Sequence, residues 1–191
     1  MAVSEPVDVP TRILDAAQRC FYRWGITATG VDTLAEEAGV SKRTLYNHFG
    51  SKDGLVTAYL RRREETWRRT LAELLDAAGD DPVARVLAYA RGYARPVDDT
   101  TFRGCAFINA AAELADDEHP ALGVVRSSID TVQRGVRQIL ADAGVADPDS
   151  LASQVLVVLE GAVAIGGIRR SDAIFDDAER LIETLIRPHL P

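Results

Sequence analysis

Apolar residues recur at spacings of three and four along most of this chain, and no useful length of strictly alternating pattern appears, so the sequence predicts an all-α protein. Ile13, Ala17, Cys20, Phe21 and Trp24 form the first such stripe. Thr11, just after Pro10, is placed to cap that helix, and Gly25 to end it. Val31, Leu34, Ala35 and Ala38 make a second, shorter stripe closed by Gly39. Ser41 can cap a third helix running from about Lys42 to Phe49, in which Leu45 and Phe49, four apart, face inward. Gly50, Ser51, Lys52 and Asp53 supply another stop and another cap, and a long helix follows. Pro82, Pro96, Pro120, Pro148 and Pro188 punctuate the remainder. The expected helices there lie near 52–78, 82–95, 102–116, 120–143, 149–168 and 172–187, which with the leading three makes nine.

Two short helices joined at a sharp angle by a Gly-Val-Ser turn make a helix-turn-helix, whose second helix enters the major groove of DNA. With Leu45 and Phe49 turned inward, Lys42, Arg43, Thr44, Tyr46, Asn47 and His48 look outward. Tyr46, His48 and Lys52 suit phosphate contacts, whereas Lys42, Arg43, Thr44 and Asn47 suit base edges, with Ser41 at the cap beside them. A polar face on an isolated eight-residue helix is just as well explained by solvation. The helix before residue 31 and the second stop and cap after Phe49 argue otherwise, because a merely solvated face needs no such scaffold.

The stretch ILDAAQRCFYRWGITATGVDTLAEEAGVSKRTLYNHFGSKDGLVTAYL resembles the TetR-type transcriptional repressors, closely from about Thr11 to Leu60. A second stretch, RGCAFINAAAEL, more weakly resembles part of the effector domain of one subgroup. The resemblance implies a nine-helix TetR-type fold and a homodimer. Its parts would be a disordered arm over residues 1–10, a three-helix helix-turn-helix head over 11–52, and an effector-binding and dimerisation domain over 53–191. Two positions depart from the family pattern. Gly30 stands where serine or threonine often caps the second helix, and Gly54 where a glutamate often closes a capping box; glycine is tolerable at an N-cap.

Composition adds limits. With 191 residues and 47% hydrophobic side chains, the chain can bury one substantial core and a smaller second one. Cys20 and Cys105 both lie in apolar helical settings, which suits buried thiols in a reducing cytoplasm. The start of the chain does not read as a signal peptide, and the apolar run Val155 to Ile168, interrupted by Glu160, reads as too short for a bilayer, so no membrane partner is expected. The net charge of −7 divides into +2 over residues 1–63 and −9 over 64–191. An acidic body behind a mildly basic head repels non-specific nucleic acid and leaves the head to set the approach. Arg61, Arg62 and Arg63 read as a solvated helix face.

The region after Ser150 is apolar on nearly every face, broken only by Gln154 and Glu160, with small residues at Gly161, Ala162, Ala164, Gly166 and Gly167. Val155, Leu159, Ala162 and Val163 here, with Phe175, Leu181, Ile182 and Leu185 in the next helix, suit either an ordinary core or, as the family resemblance implies, a four-helix dimer interface. Trp67, Tyr89, Tyr93, Phe102, Cys105, Ile108, Asn109 and His119 fall where the family encloses an effector. They fit a helical core as well as a pocket for a small, mostly apolar ligand, Asn109 and His119 being its polar candidates. The expected function is a DNA-binding regulator, most simply a repressor that such an effector releases from a palindromic operator. A thiol sensor acting through Cys105 is the first alternative. An enzyme or carrier is the second, against which His48, His119 and His189 lie far apart and neither a nucleophile elbow nor a phosphate-binding loop appears, so no catalytic residue, metal or cofactor is expected.

Overall fold

A computed structural model describes residues 8–94 and 102–191, and among them all regular structure is helical. The elements are α1 (Val9–Trp24), α2 (Val31–Ala38), α3 (Lys42–Phe49), α4 (Lys52–Ala78), α5 (Pro82–Ala94), α6 (Ala106–Glu113), α7 (Pro120–Asp142), α8 (Pro148–Arg169) and α9 (Ala173–Ile186), followed by a short 3-10 turn, Arg187–His189. They form two compact units. The first holds the chain up to Arg63 together with Ala106–Val125, and the second holds Glu64–Cys105 with Arg126–Pro191. The expected boundary at residue 52 is thereby displaced. Leu55, Val56, Tyr59 and Leu60 of α4 are buried in the same core as Ile13 and Leu45, so the beginning of the long helix belongs to the head.

In the first unit, α1 begins earlier than Thr11. The Asp8 carboxylate accepts the Thr11 N–H at 3.0 Å, so Asp8 is the cap and the last residues of the expected arm are helical; residues 1–7 lie outside the described part. Asp8, fully exposed, is held below the usual carboxylate range chiefly by its hydrogen bonds with Thr11. Gly25 ends α1 as expected. Thr29 is buried beyond it, its hydroxyl donating to the Gly25 carbonyl at 2.6 Å and tying the loop into α2. Ile13, Ala17, Cys20 and Phe21 are core, but Trp24 is 49% exposed, with the Arg23 guanidinium 5.7 Å from its ring centre, and Tyr22 takes the inward place instead. Burial raises the Cys20 thiol pKa. Gly30 caps α2 without a side-chain bond, and the Ser51 hydroxyl accepts the Gly54 N–H at 3.0 Å, so the cap of α4 works without the glutamate.

The second unit packs α5, α8 and α9 with the later parts of α4 and α7 around two apolar clusters. The larger one centres on Val86, Val136, Leu140, Val155, Leu159, Ile182 and Ile186, all essentially inaccessible to water. Asp147 caps α8 by accepting the Ser150 N–H at 3.1 Å, with Pro148 in the first turn. At 22 residues α8 is longer than the apolar run suggested, and by length and composition alone it matches a membrane span. Its Leu151, Ala152, Val155, Leu159, Ala162 and Val163 are spent on the core of this unit. The helix expected at 102–116 shrinks to α6. Gly104, at φ 82°, breaks the chain ahead of it, and the residues from Leu114 onward leave the helix. The helix expected at 82–95 is described to Ala94, and the break at Pro96 lies outside the described residues.

Gly104 and Gly167 meet backbone to backbone. A Cβ on Gly167 would lie 2.4 Å from the Gly104 amide nitrogen and 2.7 Å from the Arg103 carbonyl carbon. Neither neighbour can swing away, because both are main chain. Gly167→Ala is therefore expected to destabilise the protein by roughly 1–3 kcal/mol despite the better helix propensity of alanine. Gly123→Ala in α7, where a Cβ meets nothing within 4 Å, is expected to be neutral or stabilising by up to about 1 kcal/mol. Urea unfolding of the two variants beside the parent checks both.

Candidate nucleic-acid interface

The helix α3 is short enough that its placement must come from outside it. Ser41 is its N-cap, with the hydroxyl accepting the Thr44 N–H at 3.1 Å and lying 2.8 Å from the Thr44 hydroxyl. Leu45 is completely buried and Phe49 half-buried against the core of the first unit, as the spacing predicted. The opposite face carries Lys42, Arg43, Asn47 and His48 exposed, Tyr46 at 44% exposure, and Thr44 and Lys52 half-buried. Lys42 is ion-paired with Asp32 of α2, and that bond raises its pKa. A phosphate or guanine edge would have to displace Asp32 to reach it.

The turn before α3 is clamped by a residue the sequence reading passed over. Gly39 sits in the left-handed region at φ 62°, with its N–H bonded to the Glu36 carbonyl at 3.0 Å and the Val40 N–H to the Ala35 carbonyl at 2.9 Å. The Arg12 guanidinium donates to the Ala38 carbonyl at 2.7 Å and the Gly39 carbonyl at 2.8 Å. It thus satisfies carbonyls that the end of α2 leaves without helical partners. No local pattern announces a bond spanning 26 residues. The α6–α7 segment grips the head as well. Glu113 accepts the Thr27 N–H at 2.8 Å, and His119 accepts the Ala121 N–H on Nδ1 at 3.1 Å while its Nε2 lies 3.4 Å from Asp53.

The residues expected to line an effector pocket divide between the two units. In the second, the Trp67 and Tyr93 rings meet edge to face with centres 4.9 Å apart, the indole lying where a Cβ on Gly92 would be. Phe102 lies 6.4 Å from Phe175, and Cys105 packs against the same cluster. Tyr89 is buried in the larger core, its hydroxyl filling the space above Gly135. Ile108, Asn109 and His119 belong to the first unit instead. Ile108 is exposed, and His119 has the partners just described. The polar group that does stand with the aromatic residues is Glu160. Its Oε1 accepts the Tyr93 hydroxyl at 2.7 Å, and the Cys105 thiol also hydrogen-bonds the carboxylate. Burial raises the Glu160 pKa against the pull of those two bonds, and burial followed by the adjacent carboxylate raises that of Tyr93 strongly. The signal was present in the sequence as one carboxylate in an otherwise apolar helix face.

Comparison with known proteins decides the family. Residues 13–59 match the family described as bacterial regulatory proteins, tetR family, and residues 82–181 match the transcriptional regulator LmrA/YxaF-like C-terminal domain. The chain belongs to the TetR family of transcriptional regulators. It is similar to a TetR-family transcriptional regulator of Streptomyces coelicolor, with 30% identity, 95% of each chain covered and a TM-score of 0.88. The Escherichia coli HTH-type transcriptional regulator YjdC is 26% identical over 92% of each chain, and the E. coli HTH-type transcriptional repressor NemR is 31% identical over 66% of this chain and 61% of its own. The protein is thus a helix-turn-helix DNA-binding regulator of transcription, from a family of regulators and not of enzymes.

For a TetR-family chain the expected dimer residues need correction. Val155, Leu159, Ala162, Val163, Phe175 and Ile182 are at most 5% exposed within the single chain, because they face its own core; they have no surface left to offer a partner. Leu185 is half-buried, and of the eight only Leu181 is exposed, at 49%. The large apolar side chains of α8 that reach solvent in the single chain are Val157, Ile165 and Ile168. The stripe lies on α8 and α9, but a helix that is apolar all round does not reveal which side is spoken for.

Because Arg12 holds the carbonyls at the turn, Arg12→Ala is expected to lower stability by about 1–3 kcal/mol and to speed amide exchange in α3 ahead of the rest of the head. Chemical unfolding together with hydrogen–deuterium exchange over residues 39–49 tests it; unchanged exchange there would remove the clamp from the account.

Proposed function

We propose that the protein is a repressor that binds a palindromic operator as a homodimer and lets go of it when a small, mostly apolar effector binds the carboxy-terminal unit. The observation that carries the DNA side is the outward face of α3: Arg43, Tyr46, Asn47 and His48 are exposed while Leu45 and Phe49 anchor the helix. Arg43 and Asn47 suit two-point contacts to guanine and adenine, with Thr44 and Lys42 beside them; Tyr46, His48 and Lys52 suit phosphates, and Ser41 fixes the helix start against the backbone. Lys42 joins by exchanging Asp32 for DNA.

The dimer reading rests on Val157, Ile165 and Ile168 of α8 and Leu181 of α9, large apolar side chains left in solvent by the single chain. A second copy meeting them about a two-fold axis would present two α3 helices to half-sites about 34–36 Å apart. Effector release is then a shift between two arrangements of the dimer. A ligand that prefers the one unable to bind DNA by about a hundredfold supplies roughly 2.7 kcal/mol, enough to empty an operator held with a modest margin. The thiol-sensor alternative draws less support, because the carboxylate bonded to Cys105 opposes formation of the reactive thiolate.

Selecting bound sequences from random DNA tests the reading: an inverted repeat with half-sites one helical turn apart is expected, and no enrichment, or a single unpaired site, would overturn it. Lys52→Ala should weaken all sequences alike and lower the salt slope by about one unit, whereas Asn47→Ala should relax base choice at one position by about 1–3 kcal/mol. Titrating both variants across salt concentrations and single-base operator changes separates these effects. Ile168→Glu, 84% exposed in the single chain, should shift the protein towards monomer in sedimentation while leaving its helical content unchanged.

A further inference from the structure

Glu160 is chemically out of place. It lies on α8 beside Ala162 and Val163, in the small cluster where Phe175, Phe102, Tyr93 and Cys105 pack. The groups that meet its carboxylate among the described residues are the Tyr93 hydroxyl and the Cys105 thiol, both neutral donors. Its second oxygen, Oε2, is buried with no hydrogen-bond partner among the described residues. A buried carboxylate oxygen left in this way costs its desolvation in full, and such groups persist where a ligand completes them. Tyr93, which is hydrogen-bonded to Glu160, and Phe102, in the same cluster, are aromatic, and aromatic rings attract cations through their quadrupoles. Residues 64–105 and 126–191, which make up this unit, hold 13 basic and 18 acidic side chains, a net −5, so the field around it also draws cations and repels anions.

We propose that Glu160 anchors the effector site and that the effector is a lipophilic organic cation, an arylalkyl amine protonated at neutral pH that donates an N–H to the second oxygen of Glu160. A neutral apolar molecule would leave that oxygen unpaired. An anion would meet the carboxylate at close range in a medium of low dielectric constant. The cation restores to Glu160 the counter-charge that burial removed, while Tyr93 and Cys105 hold the other side of the carboxylate and aim it. The assignment rests on the reading of the protein as an effector-released regulator and names the chemistry of that effector.

The test uses the full chain and three probes on one ring system: 2-naphthylmethylamine, 2-naphthylmethanol and 2-naphthoate, each titrated at neutral pH by naphthalene fluorescence and by calorimetry. The amine is expected to bind about tenfold or more tighter than the alcohol, with the carboxylate weakest. Glu160→Gln should bring the amine down to the alcohol, and Tyr93→Phe should retain the preference for the amine. Equal affinity of amine and alcohol for the parent protein, a preference for naphthoate, no binding of any probe, or an undiminished preference in Glu160→Gln would each overturn the proposal. The parent protein's ranking decides it even if Glu160→Gln fails to fold. Operator binding measured without any probe separates the two readings. Its absence sinks the regulator, while a flat probe ranking beside intact operator binding sinks the role of Glu160 alone.

Discussion

A helix of eight residues with one wholly buried side chain cannot hold its own direction, and everything this protein does with DNA depends on that direction. Leu45 and the half-buried Phe49 hold α3 from one face only, which leaves its rotation weakly determined. Rotation is stopped by the turn, where Gly39 takes the left-handed conformation and Arg12 binds the two carbonyls that α2 leaves over. The guanidinium is well suited to this, since it is always charged and its donors are fixed in a plane. Glu113 and Thr29 do the same at the preceding loop, so the head is braced at both of its corners by side chains far from the groove-facing residues.

The second unit obeys a different constraint, the close approach of main chain to main chain. Where Gly167 meets Gly104, and where the Trp67 ring covers Gly92, the missing side chains let helices and a loop settle nearer than ordinary residues allow. Close settling buries area well, yet it also leaves few places for water to reach a polar group. Glu160 lies on the same helix as Gly167 and keeps one carboxylate oxygen unsatisfied.

Most of the architecture was legible because it is written in local punctuation. Gly25, Gly39, Ser41, Pro82, Pro120 and Pro148 act within a few residues of themselves, and the helices they bound were found nearly in place. The outward face of α3 followed from Leu45 and Phe49 alone. What stayed hidden involves partners distant in sequence. Arg12 reads as one more surface cation until Ala38 is beside it, and Trp24 reads as core until Tyr22 is seen to occupy the inward side. The α8 residues first assigned to the dimer were apolar for a reason internal to the chain. Periodicity cannot choose between the faces of a helix that is apolar on all of them. Asn109 and His119 fold with the head, because α6 and the start of α7 close its core.

That last arrangement bears on how such regulators can be recombined. Ala106, Ala110, Ala121, Leu122 and Val125 close the same core as Ile13, Leu34 and Leu45, although more than forty residues of the other unit intervene between Arg63 and Ala106 in the chain. A chimaera that joined this head to a foreign body after Arg63 would leave one wall of that core to be supplied by strangers. Swapping operators between relatives therefore means transplanting two separated stretches of gene, and evolution by exchange of a single leading segment succeeds only between bodies whose sixth and seventh helices already match.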